Sequence, residues 1–180
     1  LLIIVGTLPL FAVLPIRKSV QGLADNMVFV GAALIVTGFL LFLCDRARKG
    51  RKDARSATVL DVLVVGVSQA IATVPGISRS GSTITAGIAT GQSRPFAMKY
   101  SLLMSVPAVL GANLLSLIKA LKAGVEWSNF PAYLIGMIVS IVVGYFSIIL
   151  LQRLLKKGKF GNFAYYMWGV GVVTLIASLF

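Results

Sequence analysis

Residue types on which many hydrolytic sites depend are scarce in this chain. Its 180 residues include no histidine, one cysteine, and one glutamate among only five acids. Histidine therefore cannot serve as an acid–base catalyst or a metal ligand within this chain. The lone Cys44 can form neither an internal disulfide nor a metal cluster, so we expect it to be a packing residue.

The composition indicates an integral membrane protein. Hydrophobic residues make up 58% of the chain and its mean hydropathy is +0.95, whereas soluble domains are about 45–50% apolar. The net charge of +12 would suggest nucleic-acid binding in a soluble protein. Here the basic residues lie mostly between apolar runs, where the positive-inside bias places them. We therefore predict a multi-pass membrane protein that binds no nucleic acid.

The apolar runs predict one membrane domain over residues 1–180. The chain opens at Leu1 within an apolar run and without an initiator methionine, which suggests the C-terminal fragment of a longer protein. Residues 1–16 form that first run, and the later runs are long enough to span a bilayer. The predicted spans are 27–44, 96–121, 131–151 and 160–180.

The basic loops set the expected topology. Residues 45–55 carry six basic side chains and residues 153–159 carry more, so both loops are predicted to be cytoplasmic. The loop at 122–130, with Glu126 and Trp127, then lies outside. Residues 56–95 must leave and return on the same side, which favours a re-entrant helix–loop–helix at about 57–92. The predicted fold class is all-α: a polytopic helix bundle with a re-entrant hairpin.

The hairpin tip carries the polar sequence Pro75-Gly76-Ile77-Ser78-Arg79-Ser80-Gly81-Ser82-Thr83. An arginine at membrane depth costs about 2.5 kcal/mol or more, which suggests that Arg79 has a function. Its planar fork can pair two phosphate oxygens, and Ser78 and Ser80 can donate to an oxyanion or act as nucleophiles. We expect Gly76 and Gly81 to let the backbone turn sharply and approach a ligand.

The helix after the tip is predicted to begin near Ile84 and to run to Gly91. A hydroxyl of Ser80, Ser82 or Thr83 would cap it, and its N-terminus would offer N–H groups to phosphate. The competing interpretation is a serine-rich turn with Arg79 reaching the membrane interface. The position of Arg79, far from a span end, favours the anion site.

The motif resembles the signature of the undecaprenyl-diphosphatase family, the bacitracin-resistance phosphatases of bacterial membranes. Asp61 and Gln69 stand upstream as in that family, and Arg94 follows the short helix. The segment 100–112, with Tyr100-Ser101-Leu102-Leu103 before Pro107, is similar to another family stretch. The resemblance implies hydrolysis of undecaprenyl diphosphate to the monophosphate and inorganic phosphate, which recycles the lipid carrier of peptidoglycan synthesis.

The resemblance also implies a division of roles within the site. Arg79, Ser78 and Ser80 would be the catalytic residues of this chain. Substrate-binding roles would fall to Gly76, Gly81, Thr83 and Gln69. The family has two inverted repeats, and this chain corresponds to the second. A divalent cation, Mg²⁺ or Ca²⁺, is expected for the complete protein with its ligands outside this chain, so the chain alone is predicted to be inactive.

Several alternatives stay open at this point. Re-entrant hairpins with charged tips also occur in transporters, so a transporter or flippase for an anionic lipid or phosphate is the second hypothesis, and a non-catalytic membrane scaffold is the third. Asp61 is more plausibly structural than catalytic because it lies far from the motif. Small residues recur at four-residue spacing, at Gly87 and Gly91 and at Gly136, Ser140 and Gly144. They predict close packing within the monomer, which is favoured over a homodimer interface.

Overall fold

A computed structural model describes residues 2–13, 15–47, 50–123 and 129–179. Within these ranges the chain is helical, and the only β feature is an isolated bridge between Lys52 and Gln92. The predicted all-α class is therefore confirmed. The helices are α1 (Leu2–Phe11), α2 (Arg17–Gly22), α3 (Met27–Arg46), α4 (Val59–Ile71), α5 (Arg79–Ala89), α6 (Arg94–Ala123), α7 (Phe130–Lys156) and α8 (Phe163–Ala177).

Four helical segments of the described chain are long and apolar enough to cross a membrane. They are Met27–Arg46, Arg94–Lys122, Phe130–Lys156 and Phe160–Ala177, with 20, 29, 27 and 18 residues. These segments match the four predicted spans, and helix α6 runs on through Pro107. The first apolar run gives only the ten-residue helix α1. Residues 124–128 of the expected outer loop, which include Glu126 and Trp127, lie outside the described residues.

Helices α4 and α5 form the predicted hairpin. They have 13 and 11 residues, or about 20 and 17 Å at 1.5 Å per residue, against about 30 Å for the hydrocarbon core. Neither helix is long enough to span alone. Helix α5 begins at Arg79, five residues before the predicted start at Ile84. The reason is that a serine caps the chain directly ahead of Arg79, so the polar motif enters the helix instead of preceding it.

Lys52 fixes both ends of the hairpin, the start of α4 and the segment after α5, to the basic loop. Its Nζ contacts both carboxylate oxygens of Asp61 at 2.8 Å, and Asp61 forms a capping box with Thr58 at the start of α4. The backbone N–H of Lys52 donates to Gly91 O at 3.0 Å, and the N–H of Ser93 donates to Lys52 O at 2.9 Å. The hairpin therefore leaves and returns at the same loop. Asp61 has the structural role expected of it.

The hairpin packs between two groups of helices. Helix α3 packs on α8 and α5, and α1 packs on α4 and α6. One buried cluster contains Cys44 with Leu41 and Ile84, which confirms Cys44 as a packing residue. A second cluster joins Val62 and Val65 of α4 to residues of α6. The polar tip is thus held by apolar helices on two sides.

The small residues of α7 do not pack as predicted. A Cβ added at Gly136 or Gly144 would meet no atom within 4 Å, whereas one at Gly87 would meet Gln92 Oε1 at 2.8 Å. Close packing within the monomer is therefore confirmed at Gly87 and wrong for the α7 residues. Helix α7 is apolar and largely exposed to the surroundings, as expected for a face that contacts lipid.

Candidate anion site at the hairpin tip

The tip turns at Gly76, which has a φ of +90°. Side chains rarely adopt this backbone conformation, so glycine is required here. A Cβ at this position would also lie 2.8 Å from Ala33 Cβ and 2.9 Å from Val30 O of helix α3. The loop is therefore pressed against α3. The expected sharp turn is present at Gly76, although the close approach is to a helix of the chain itself.

Ser78 caps helix α5. Its Oγ accepts a hydrogen bond from the N–H of Gly81 at 3.2 Å, so the expected caps at Ser80, Ser82 and Thr83 are wrong. The N–H groups of Arg79 and Ser80 fall in the first turn, where a helix offers them no carbonyl partner. Such N–H groups and the helix dipole attract an anion. The Ser78 hydroxyl keeps its own proton for donation, since it acts as the acceptor in the cap.

The guanidinium of Arg79 is held by Gln69 of helix α4. Its Nε and Nη2 both donate to Gln69 Oε1, at 3.2 and 2.7 Å. Gln69 is only 1% exposed, and its Nε2 has no partner among the described residues. Gln69 was expected to bind substrate. The structure instead uses its oxygen to orient Arg79, which leaves the remaining N–H groups of the fork for a ligand.

Two other predicted binding residues are packed against neighbouring helices. Thr83 is 1% exposed, and its Oγ1 lies 2.6 Å from Ser101 Oγ of helix α6. Gly81 lies within the first turn of α5 and packs on Leu41, where an added Cβ would be 2.8 Å from Leu41 Cδ2. The sharp backbone turn expected at Gly81 is wrong, because that residue is helical. Ser80, in contrast, is exposed at the start of α5.

Arg79 lines a cleft of about 630 Å³. The walls are mostly apolar, with the polar side chains Thr7, Gln21 and Thr73 among them. The other lining residues are Leu10, Phe11, Val13, Val20, Pro107, Ala108, Gly111, Ala112, Leu114 and Leu115. Among the described residues of this lining, Arg79 is the single charged side chain. Such a cleft suits an amphiphile that has an anionic head and an apolar tail.

The cleft is open toward the surroundings of the bundle. Phe11, Leu114 and Leu115 on its walls are 61%, 59% and 49% exposed. These residues belong to helices α1 and α6, whose outer faces would contact lipid. A long apolar tail could therefore pass from the cleft into the bilayer without crossing a polar surface.

Contacts with helix α3 show how far along that helix the hairpin tip lies. Gly76 touches Val30 and Ala33, and Ser78 bonds to Thr37. The contacts at Val30 and Ala33 lie 13 to 16 residues from Arg46 at the end of α3, or about 20–24 Å along the helix axis. The tip therefore lies past the middle of α3, on the side away from the basic loop that Arg46 opens.

Carboxylates are absent from the described cleft lining. Asp61 pairs with Lys52, and Asp45 accepts from the N–H of Gly161 at 2.6 Å near the basic loops. Within the described residues no three His, Cys, Asp or Glu side chains form a group that could hold a metal. The cationic Arg79 and neutral amides and hydroxyls do not fit a divalent cation, which prefers several carboxylate oxygens.

Arg94 lies away from the cleft, although it follows the motif in the sequence. Its Nη2 donates to Asp45 O at 2.7 Å, and this bond joins the start of α6 to the end of α3. Sequence reasoning missed Thr37, whose hydroxyl bonds the tip loop from α3, and the polar cleft residues Thr7, Gln21 and Thr73. A hydroxyl within an apolar helix carries no local signal of a partner 39 residues away.

The chain is similar to known proteins over nearly its full length. The profile of the bacitracin resistance protein BacA family matches residues 1–173. An undecaprenyl-diphosphatase of Halothermothrix orenii is 40% identical over 179 residues, which cover 99% of this chain and 69% of that protein. One from Desulforapulum autotrophicum is 38% identical, with 98% and 64% covered. A third, from Methanothermobacter thermautotrophicus, is 37% identical, with 99% of each chain covered. The tip motif, the cleft and these matches together establish that the chain belongs to the BacA family of undecaprenyl-diphosphatases.

Proposed function

We propose that this protein is a membrane phosphatase that hydrolyses undecaprenyl diphosphate to undecaprenyl phosphate and inorganic phosphate. This chain holds the diphosphate, and the reaction returns the lipid carrier to peptidoglycan synthesis in a bacterial cell membrane. The observation that carries the proposal is the position of Arg79, at the start of α5 and on the wall of an apolar cleft. The names of the related proteins support the same reaction.

The diphosphate lies at the tip in this proposal. Arg79 binds phosphate oxygens with the N–H groups that Gln69 leaves free, and it offsets the charge that develops on the transferred phosphoryl group. The N–H groups of the first α5 turn add a partial positive charge on the same side. Ser78 and Ser80 donate hydroxyl hydrogen bonds to the remaining oxygens. These groups position and stabilise the phosphates without breaking a bond themselves.

The polyprenyl chain occupies the apolar part of the cleft. Its first units lie between α1 and α6, and the rest passes the exposed Phe11 and Leu114 into the bilayer. In this proposal the phosphates lie nearer the outer face of the membrane, which is supported by the depth of the tip along α3 and by the predicted cytoplasmic side of the basic loops. The product phosphate therefore leaves on the outer side.

Activation of the nucleophile requires groups beyond those in the described cleft. A serine or a water needs a base within hydrogen-bond reach, and no carboxylate is among the described residues that line the cleft. The expected Mg²⁺ or Ca²⁺ likewise needs ligands that the cleft does not offer. We propose that both come from the part of the longer family members that this chain does not cover.

The test measures phosphate release from undecaprenyl diphosphate in proteoliposomes, with Mg²⁺ or Ca²⁺ present. It compares this chain alone with the chain co-reconstituted with the portion of the Halothermothrix orenii relative that it does not cover. We expect release only from the combined sample. Arg79→Lys should lower that rate about 100-fold or more, because a point charge cannot reproduce the bidentate fork.

A matched control is Arg153→Lys, which makes the same exchange at an exposed residue near the end of α7. Its rate should equal that of the unchanged chain. An unchanged rate in Arg79→Lys would remove Arg79 from the reaction, and no release by the folded combined sample would contradict the phosphatase assignment. A homodimer through the small residues of α7 is a separate proposal, which cross-linking through a cysteine at Ser140 on the open side of α7 would test.

A further inference from the structure

Thr37 connects helix α3 to the hairpin tip through one hydroxyl. Its Oγ1 donates to Gly76 O at 2.9 Å and accepts from the N–H of Ser78 at 3.1 Å. Thr37 is 1% exposed and lies at the middle of α3. The carbonyl of Gly76 and the N–H of Ser78 are therefore both bonded to one buried oxygen. Arg79 follows directly after this segment.

The bonding of this hydroxyl differs from that of Thr7 and Thr174, two other helical hydroxyls of the chain. A Ser or Thr inside a helix commonly donates to a carbonyl one turn back in its own helix. Thr7 does so to Ile3 O at 2.7 Å, and Thr174 does so to Val170 O at 2.9 Å. Thr37 instead donates to a carbonyl 39 residues away in the chain. Its hydroxyl serves the tip loop and not the local helix.

The loop needs both of these bonds. The positive φ at Gly76 takes the backbone out of helical geometry, so its carbonyl and the Ser78 N–H have no helical partners. In a membrane interior an unsatisfied backbone group costs several kcal/mol. Removal of the Thr37 hydroxyl would leave one donor and one acceptor unpaired, and the loop would shift to satisfy them. Any such shift moves the cap at Ser78 and the start of α5.

We infer that Thr37 is a positioning residue of the phosphate site, which fixes the tip loop so that the α5 N-terminus and Arg79 face the cleft together. The inference rests on the proposed function, because it assumes that these groups hold the diphosphate. Thr37 acts through Ser78 and Gly76 and does not line the cleft itself. Gln69 fixes the direction of the Arg79 side chain, and Thr37 fixes the backbone from which that side chain extends.

The test measures the affinity for inorganic diphosphate, by calorimetric titration of the protein in nanodiscs. Thr37→Val keeps the size of the side chain and removes the hydroxyl, so we expect the Kd to rise about tenfold. Thr37→Ser keeps the hydroxyl and should stay within about twofold of the unchanged protein. If the valine variant does not fold, Thr37→Cys replaces it, and its weak S–H donor should raise the Kd by about threefold.

Thr85→Val is the matched control. The Thr85 hydroxyl also joins α5 to α3, through Leu40 O at 3.3 Å, but it lies more than one turn beyond Arg79. Its removal should leave the Kd unchanged. The role of Thr37 would be overturned by an unchanged Kd in folded Thr37→Val or Thr37→Cys. It would also be overturned if the Kd rose as much in Thr37→Ser, or in Thr85→Val, as in Thr37→Val. Absence of diphosphate binding by the unchanged protein would instead contradict the proposed function, and this role with it.

Discussion

Arg79 donates both Nε–H and Nη2–H to the single oxygen Oε1 of Gln69, at 3.2 and 2.7 Å. The two residues lie ten positions apart on the two helices of the hairpin, so the bond closes the hairpin across its tip. A neutral acceptor is well suited to this position. It orients the guanidinium while the positive charge stays available to a phosphate, whereas a carboxylate would neutralise it.

Gln69→Met should weaken the site without removing its charge. Methionine fills a similar volume and has no strong acceptor, so Arg79 loses its fixed direction. We expect kcat/KM for undecaprenyl diphosphate to fall about tenfold in the active combined sample. The kcat/KM of Gln69→Glu should be lower still, because the new carboxylate competes with phosphate for the guanidinium.

Gln92→Met provides the control for this prediction. Gln92 is also a fully buried amide, but it lies at the far end of the hairpin, beside Gly87 and the basic loop. The Gln92 variant should keep its activity per folded molecule. If both methionine variants lose activity equally, Gln69 acts through stability and not through Arg79.

Gly111→Phe should obstruct the cleft. Gly111 lines the cleft wall on α6, and an added Cβ there would meet no atom within 4 Å. A phenyl group can therefore enter the cleft without distorting the helix. We expect a KM for undecaprenyl diphosphate that is about tenfold higher, since the ring excludes the apolar chain, and little change in the affinity for inorganic diphosphate.

Gly144→Phe makes the same exchange at an open position of α7, outside the cleft. Steady-state kinetics with the lipid and titration with inorganic diphosphate separate the two effects. A KM in Gly111→Phe equal to that of Gly144→Phe would show that the polyprenyl chain does not lie in this cleft.

Thr73→Cys tests the side of the membrane on which the cleft opens. Thr73 lines the cleft and is exposed, and the only native cysteine, Cys44, is 0% exposed, so background labelling should be low. In intact cells a membrane-impermeant maleimide should label Thr73→Cys from outside. Ser56→Cys in the basic loop should react only after the membrane is opened. Labelling with the opposite sidedness would reverse the topology derived from the basic loops.

The predicted helices were confirmed where local composition was sufficient. Apolar run length identified the four spans, and the charge of the loops at 45–55 and 153–159 required residues 56–95 to return on one side. The start of α5 was missed by five residues. The reason is that several hydroxyls near the tip could cap a helix, and only the fit of the loop to α3 selects Ser78.

Among the site residues, Arg79 could be identified from the sequence, while the directions of its neighbours could not. Thr83 and Gly81 belong to the motif, yet they face α6 and α3, because the turn at which α5 begins decides which motif residues are buried. The packing of Gly136 and Gly144 was also mispredicted. Small residues at four-residue spacing permit close approach, but they do not specify which surface approaches.

The sequence by itself determined the membrane class, the spans, the hairpin and the presence of an arginine at its tip. These follow from hydropathy and from charge, which are properties of short segments. The tertiary structure alone decided that Gln69 orients Arg79, that Thr37 holds the tip, and that α1 and α6 enclose a cleft beside them. Those relationships join residues far apart in the chain, and they arise because buried polar groups at membrane depth must find partners on whichever helix packs beside them.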